Sequence, residues 1–478
     1  MLSLERDVLQ DADEAARREW LLGDGLGGYA SSTVIGLNTR REHGLLVVAT
    51  HPPVERMVLL SRLEEALTVG DSRQELGTNA YPGGLHPQGH LQATGFALDP
   101  LPTLTWEVEG GTLARTIARV HGVAATVVSY RLEGTLPAVL ELRPLLAYRD
   151  LGTLQRENGH VDGQVHRDGQ DVVLRPYPGC PALALRVSEG RWDTDGFWYH
   201  GFEYARDREA GREYHEDLFS HGAFHVALPP RGSACLIVWA GAMPPGIDGA
   251  TLLANARKRV RALGEETDGL PGQLRRAADA FLVRRGSTRT VLSSYPAGTD
   301  RGRDAMAALP GLTLATGRHE EARGLLADAA AQIDGGALPH PFPEDGGPPA
   351  HESPDAALWL VLAADRYREA TGDVEFVRSR MQGAILAILE AYRAGTRHGF
   401  GLGSDGLITH EAPHLRTWMD GPARSGQAVE VQALWYNALL IGADLAQRAG
   451  QSVRGGEWTA LASRARESFL RAFWSETR

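Results

Sequence analysis

GAFHVALPPRGSACLIVWAGAMPPGIDGATLLANARKRVRALGEE, residues 222–266, is where the chain changes its period. GAFHVALP and ACLIVWAGA are short β-type segments divided by a Pro/Gly turn. TLLANARKRVRALGEE, at 251–266, spaces its apolar residues as a helix does. A strand period gives way to a helical one, so a domain boundary is expected near residues 245–270.

Upstream, residues 1–250 read as an amino-terminal β-sandwich. HGLLVVAT, RMVLLS, ALTVG, LARTIARVHG, ATVVSYRLEG, AVLELRPLLAY, DVVLRPY and ALALRVS recur between clusters of Gly, Pro, Asp and Asn. Alternation buries one face of each such strand, and two sheets built this way stack on a shared core. Residues 251–269 read as a linker helix, and 270–478 as a helical domain. Its candidates are Leu270–Arg285, Asp304–Ala315, His319–Ile333, Pro354–Thr371, Asp373–Ala394, Val429–Ala449 and Glu457–Trp474. Pro354 suits a first helical position and Asp373 a helix start. The loops SSYPAGTDRGRD, GGALPHPFPEDGGPPAHES and GLGSDGLITHEAPHLRTWMDGPARSG are rich in Gly, Pro, His and acidic residues. The second and third are long for plain connections and are good places to build a site.

A chain of 478 residues exceeds one ordinary core, and 43% hydrophobic with 23% charged residues describes a globular protein. It holds no apolar run near the ~20 residues that span a bilayer, so no membrane partner is expected. MLSLERDVLQDADEAARREW is charged and lacks the apolar stretch of a secretory signal. Cys180 and Cys235 are too few for a disulfide framework or a thiolate zinc site. A cytoplasmic protein is the resulting expectation. A net charge of −11 argues against a nucleic-acid surface, which needs clustered Lys and Arg, and suits a neutral ligand such as a carbohydrate.

The segment EWLLGDGLGGYASSTVIGLNTRREHGLLVV at 19–48, followed by RMVLLSRLEEAL at 56–67, resembles the amino-terminal domain of glycogen debranching enzymes of the amylo-α-1,6-glucosidase type. Gly25, Gly27 and Gly28 permit a tight turn or a close backbone approach. GDGLGG is no dinucleotide fingerprint, because no strand–turn–helix unit surrounds it. The helical half is similar to the same family in four further places: DRGRDAMAALPGLTLATGR at 300–318, HESPDAALWLV at 351–361, LRTWMD at 415–420 and GQAVEVQALWYNAL at 426–439. All occur in the family's order. The resemblance implies a β-sandwich followed by an (α/α)6 toroid, with an inverting glucosidase site at the toroid's mouth.

Inversion needs a protonated carboxyl for the leaving oxygen and a carboxylate ~6.5–9.5 Å away that activates water. By resemblance, Asp420 of TWMD is the general acid, with Trp418 as an apolar wall that raises its pKa. Glu430, at the start of the next helix, is the alternative acid. Arg303 and Asp304 are expected to floor the subsite of the terminal glucose. Asp355 and Trp359, four residues apart on one helix, would join a hydroxyl acceptor to an aromatic platform. Arg40 and His43 of NTRREHG would reach sugar or the domain interface, a structural role being as good an account. Trp435 and Tyr436 read as core. His340, His351, His410 and His414 form no metal-ligand pattern, and neither a metal nor a cofactor is expected. The sequence departs from the family at Arg301, where a Trp is expected, and at Ala297–Gly298, where Trp-Phe is expected.

The resulting reading is an α-1,6-glucosidase acting on branch points of an α-glucan. The alternative is a non-catalytic glucan-binding or regulatory protein on the same scaffold. A toroid closes with twelve helices, against about seven counted here. No residue matches the family's general base, so the expectation is of an incomplete toroid, and of slow or no hydrolysis by these 478 residues.

Overall fold

The computed structural model describes residues 2–475, apart from 244–245, 247, 265–268, 341, 343–347, 411–415 and 420–424. The chain divides into two compact units, Met1–Val283 and Arg284–Arg478.

The first unit holds two large antiparallel sheets, one 9-stranded and one 10-stranded. Their inner faces share one core. The 9-stranded sheet supplies Phe96, Trp106, Ile117, Val128, Leu185 and Val238, and the 10-stranded sheet supplies Leu46, Leu60, Leu67, Leu140 and Leu142. This is the expected sandwich. One partnered polar set is buried between the sheets. Glu65 accepts from Arg115 at 2.6 Å and from the Tyr130 hydroxyl, and the Arg115 guanidinium lies 5.0 Å from the centre of the Trp106 ring.

ACLIVWA reads as an unbroken apolar run because the strand Ser233–Ala240 is covered on both faces. Leu236 and Val238 enter the sandwich core. Ile237 and Trp239 pack with Leu252, Leu253 and Ala256 of the helix Gly249–Ala262. Asp248 caps that helix by accepting the Thr251 N–H at 2.8 Å. The helix Leu270–Phe281 joins it through Arg259, whose guanidinium grips the Asp279 carboxylate at 2.6 and 3.0 Å. Both helices therefore belong to the first unit, which runs to Val283.

Two segments read as separate strands, RMVLLS and ALTVG, form a single 16-residue strand, Val54–Val69. The intervening RLEE does not interrupt it, because Arg62, Glu64 and Glu65 are all held by partners. The glycine-rich GDGLGG joins the antiparallel strands Glu19–Gly23 and Tyr29–Thr33 and precedes no helix. Gly27 has φ +96°, and a Cβ there would stand 2.3 Å from the Pro53 carbonyl oxygen.

The second unit is built on helices. Ala356–Thr371 is central, touching Gly302–Leu312, His319–Ala331, Gln382–Ala394 and Val429–Arg448. Its buried residues Ala356, Ala357, Leu358, Leu360, Val361, Ala363, Ala364 and Tyr367 wrap most of its circumference, as burial among several neighbours requires. Val429–Arg448 and Ser452–Phe473 form a hairpin turned by Ala449–Gln451.

Several expected helices differ in their bounds or course. Pro354 stays outside its helix, with Asp355 as the N-cap, and its carbonyl accepts the Tyr392 hydroxyl at 2.6 Å. The helix expected from Glu457 begins at Ser452 instead. Gly455 looks like a breaker but is a contact, since a Cβ there would meet Gln447 Cγ at 2.7 Å and the Ala443 carbonyl at 3.1 Å. The helix expected over Asp373–Ala394 contains a π turn at Val377–Met381, which keeps both of those residues buried. Leu270–Arg285 ends early, its last four residues forming the strand Leu282–Arg285.

Candidate active site

Within the helical unit the separated motifs meet. Asp355 is fully buried, and its side chain does not cap its own helix. Oδ1 accepts the Ser353 hydroxyl at 2.6 Å and lies 3.7 Å from Arg303 Nη1, while Oδ2 accepts the Trp418 backbone N–H at 2.9 Å. Burial pushes the Asp355 carboxyl above the usual range, against the pull of Ser353, Arg303 and the Trp418 N–H. Arg303, also buried, reaches Asp304 Oδ1 through Nε at 3.3 Å and Ser353 Oγ through Nη1 at 3.4 Å.

The segment 416–418 is held along its length. The Arg416 N–H donates to the Glu352 carbonyl at 3.0 Å. The Thr417 hydroxyl donates to Glu430 Oε1 at 2.5 Å. Glu430 opens Val429–Arg448, where a carboxylate favours the helix N-terminus, and so ties that helix to the TWMD segment. Trp418 itself is 55% exposed. An anchored backbone beneath an open indole is what a sugar platform requires.

The structure thus brings together Arg303, Asp304, Asp355, Trp418 and Glu430. Asp420 and His414 lie outside the described residues. Asp304 keeps 31% of its side chain exposed and is available to a ligand. Asp355 is engaged at both oxygens, so its place is beneath the site as the anchor of Trp418 rather than as an open hydroxyl acceptor. Trp359 is half-buried on the same helix, with its indole Nε1 buried and unpartnered. Trp435 is core, as expected, donating to the Gly406 carbonyl at 3.2 Å and stacking on Tyr392.

Sequence reading missed Ser353, Thr417 and Gln432. Gln432 accepts the Ile408 N–H at 2.7 Å and donates to the Ile408 carbonyl at 2.8 Å, pinning the strand Ile408–His410 to its helix. Ser353 carried a faint signal as a hydroxyl beside the helix start. The other two carried none.

His340 and His351 form a parallel bridge, and His410 bridges Gly426. His351 also groups with Asp334 and His398, their ligand-type atoms lying within 4.8 Å of one another. Arg397 already pairs with the Asp334 carboxylate and holds its pKa low.

Arg40 and His43 fall in the sandwich unit, where both face Glu19. Arg40 Nε donates to Glu19 Oε1 at 2.8 Å, and His43 Nε2 lies 3.7 Å from the same oxygen. Burial alone pushes the Glu19 carboxyl up, but the His43 and Arg40 hydrogen bonds and charges outweigh it and hold the pKa at about 2 against 4.5. A depressed carboxylate stabilises the folded state above its unfolded pKa, and that stability is lost as pH falls through the folded value. Glu19→Gln is therefore expected to flatten the loss of stability between pH 4.5 and about 2. Denaturant melts of the variant across that window check this, and an unchanged slope against pH would refute it.

A β-sandwich followed by a helical unit of (α/α)6-toroid type is a fold shared with solved structures. A bacterial glucoamylase solved with acarbose shares it at TM-score 0.54 and 10% identity, over 94% of this chain and 64% of that one. A putative kojibiose phosphorylase from the human microbiome shares it at TM-score 0.51 and 9% identity, over 98% of this chain and 69% of the other. At such identities the likeness is one of fold. The chain spans less than two thirds of the glucoamylase's length. No curated protein matches it in sequence. Residues 18–235 match the profile of the glycogen debranching enzyme N terminal, and residues 276–478 that of amylo-alpha-1,6-glucosidase. The chain belongs to the glycogen debranching-enzyme family. No helix among the described residues is long and apolar enough to cross a membrane.

Proposed function

We propose that this chain acts on α-1,6 branch points of glycogen or a related α-glucan, with Asp420 as general acid in an inverting hydrolysis. The observation that carries the reading is the convergence of four motifs far apart in sequence. Arg303 of GRD, Asp355 of PDAALW, Thr417 and Trp418 of TWMD, and Glu430 of VEVQALW are joined by hydrogen bonds or ion pairs. In this reading Asp304 accepts hydroxyls of the terminal glucose and Trp418 stacks on a sugar face. The Arg303–Asp355–Ser353 set holds both in place. Such a site needs binding groups, an acid and an activated water, and no metal.

The test is a singly branched maltooligosaccharide incubated with the protein and followed by NMR. Release is expected to be slow, and the glucose released to be the β-anomer and unaffected by EDTA. Release of α-glucose would remove inversion. Loss of release with EDTA, restored by a divalent cation, would overturn the metal-free mechanism. Glucan binding without any release would favour the non-catalytic reading.

A further inference from the structure

The outer face of the 10-stranded sheet carries a small polar cavity of about 110 Å³, wholly inside the sandwich unit. Its base is Glu64, which stands directly across from Arg143 in the ladder between Val54–Val69 and Ala138–Asp150. Asn79 donates through Nδ2 to Glu64 Oε1 at 2.7 Å, and Arg62 Nε lies 3.2 Å from the same oxygen. Asn79 is only 1% exposed, yet its Oδ1 is buried without a hydrogen-bond partner. Buried amide oxygens are rarely left this way unless a ligand or water completes them.

The cavity's cations are already engaged. Arg143 grips Asp195 through two hydrogen bonds of 2.8 Å and lies 5.0 Å from the centre of the Phe197 ring. What remains is acceptor capacity on Glu64 and on Glu141, the latter shared with Arg73 at 3.3 Å and Arg143 at 3.7 Å, with Asn79 buried behind them and the Tyr81 and Tyr199 phenols beside them. An occupant must therefore bring several donors. With two guanidinium groups this close to Glu64, a metal cation is poorly served, whereas neutral hydroxyls are well served. Phe197 and Tyr199 continue from the cavity as stacked rings with centres 4.9 Å apart, and the buried Phe202 backs Tyr199 and Tyr81 at 6.4 and 4.9 Å. Acceptors beside an aromatic ledge are the pairing that holds a sugar by its hydroxyls and its apolar face. On a scale of ~10–15 Å³ per water position, the volume suits the edge of a single hexose ring.

We infer that this cavity is a second glycosyl-binding site, remote in sequence from the helical-unit motifs, which seats one sugar of an α-glucan chain on the sandwich. The choice of an α-glucan rests on the proposed function; the acceptor-rich cavity does not. Burial, opposed by Arg62 and Asn79, pushes the Glu64 carboxyl above its usual range.

Calorimetric titration with maltotetraose tests the inference on the wild-type protein and on Tyr199→Ala, Glu64→Gln and Asp304→Ala. Two binding events are expected in the wild type. Tyr199→Ala and Glu64→Gln should each weaken one of them at least tenfold, and Asp304→Ala the other. Thermal melts report whether each variant is folded, and Glu64→Gln probes the cavity without removing a ring. Wild-type titrations from both cavity variants would overturn the inference. So would calcium binding that Glu64→Gln abolishes while sugar binding persists. If no glucose is released from a branched substrate but the cavity variants still lose their event, the site stands and the hydrolase reading falls.

Discussion

Asp420→Asn is expected to lower glucose release from a branch point by roughly 10²–10⁴-fold, the usual contribution of a positioned general acid. Asparagine keeps the volume and polarity of the side chain but has no proton to give to the leaving oxygen. Glucan affinity should survive, because the groups assigned to binding are Asp304 and Trp418. Two preceding residues show why this position is chosen. Thr417 is fixed to Glu430, and the Trp418 amide is fixed to Asp355, so these two residues are tethered to two different elements. Glu430→Gln is the control, since the amide oxygen can still accept the Thr417 hydroxyl while the carboxyl is gone. A substrate whose leaving group needs no proton separates the roles further. α-Glucosyl fluoride should be hydrolysed by Asp420→Asn far better than a branched oligosaccharide, relative to wild type. Full turnover of the oligosaccharide by Asp420→Asn, with Glu430→Gln inactive, would move the acid to Glu430.

The sandwich was legible because its strands alternate, and the helices because their apolar residues recur at helical spacing. The errors came where tertiary contact overrides local signal. Gly455 reads as a breaker in isolation and is required by the close approach of Gln447 and Ala443. The linker helix is legible, but its allegiance to the sandwich depends on Ile237 and Trp239, whose outward faces would meet solvent if no helix covered them. In the candidate site, the charged and aromatic members were legible through motifs. Ser353, Thr417 and Gln432 were not, because their value lies in partners 2, 13 and 24 residues away in sequence, and in the fold that closes those gaps. For Asp355 the motif was visible while its role was not. Sequence can mark an acidic residue at a helix start, but only the fold shows that both of its oxygens are engaged.

That difference sets the second large effect, which concerns stability. Asp355→Ala removes the acceptor of both the Ser353 hydroxyl and the Trp418 N–H, and it takes one carboxylate from beside the 2%-exposed Arg303 side chain. Losing the buried acceptor of two hydrogen bonds costs together about 3–5 kcal/mol, while Arg303 keeps its contacts with Asp304 and Ser353. For a unit of this size, about 2–4 °C of melting temperature accompanies each kcal/mol, so the helical unit should melt roughly 6–20 °C lower. Activity should fall with it even at temperatures where the unit is folded, because Trp418 loses its backbone anchor. Asp355→Asn separates charge from geometry, since its amide oxygen can still accept one of the two hydrogen bonds. Burial raises the Asp355 pKa in the folded state, so its ionisation disfavours folding. The contribution is most favourable below the unfolded value near 3.8 and is lost as pH rises through the raised folded value. Asp355→Asn should therefore melt below wild type by less than Asp355→Ala and show a flatter pH dependence across that window. Calorimetric melts that resolve the two units provide the measurement. Wild-type melting of Asp355→Ala would mean that the Arg303–Asp355 pair does not hold the site together.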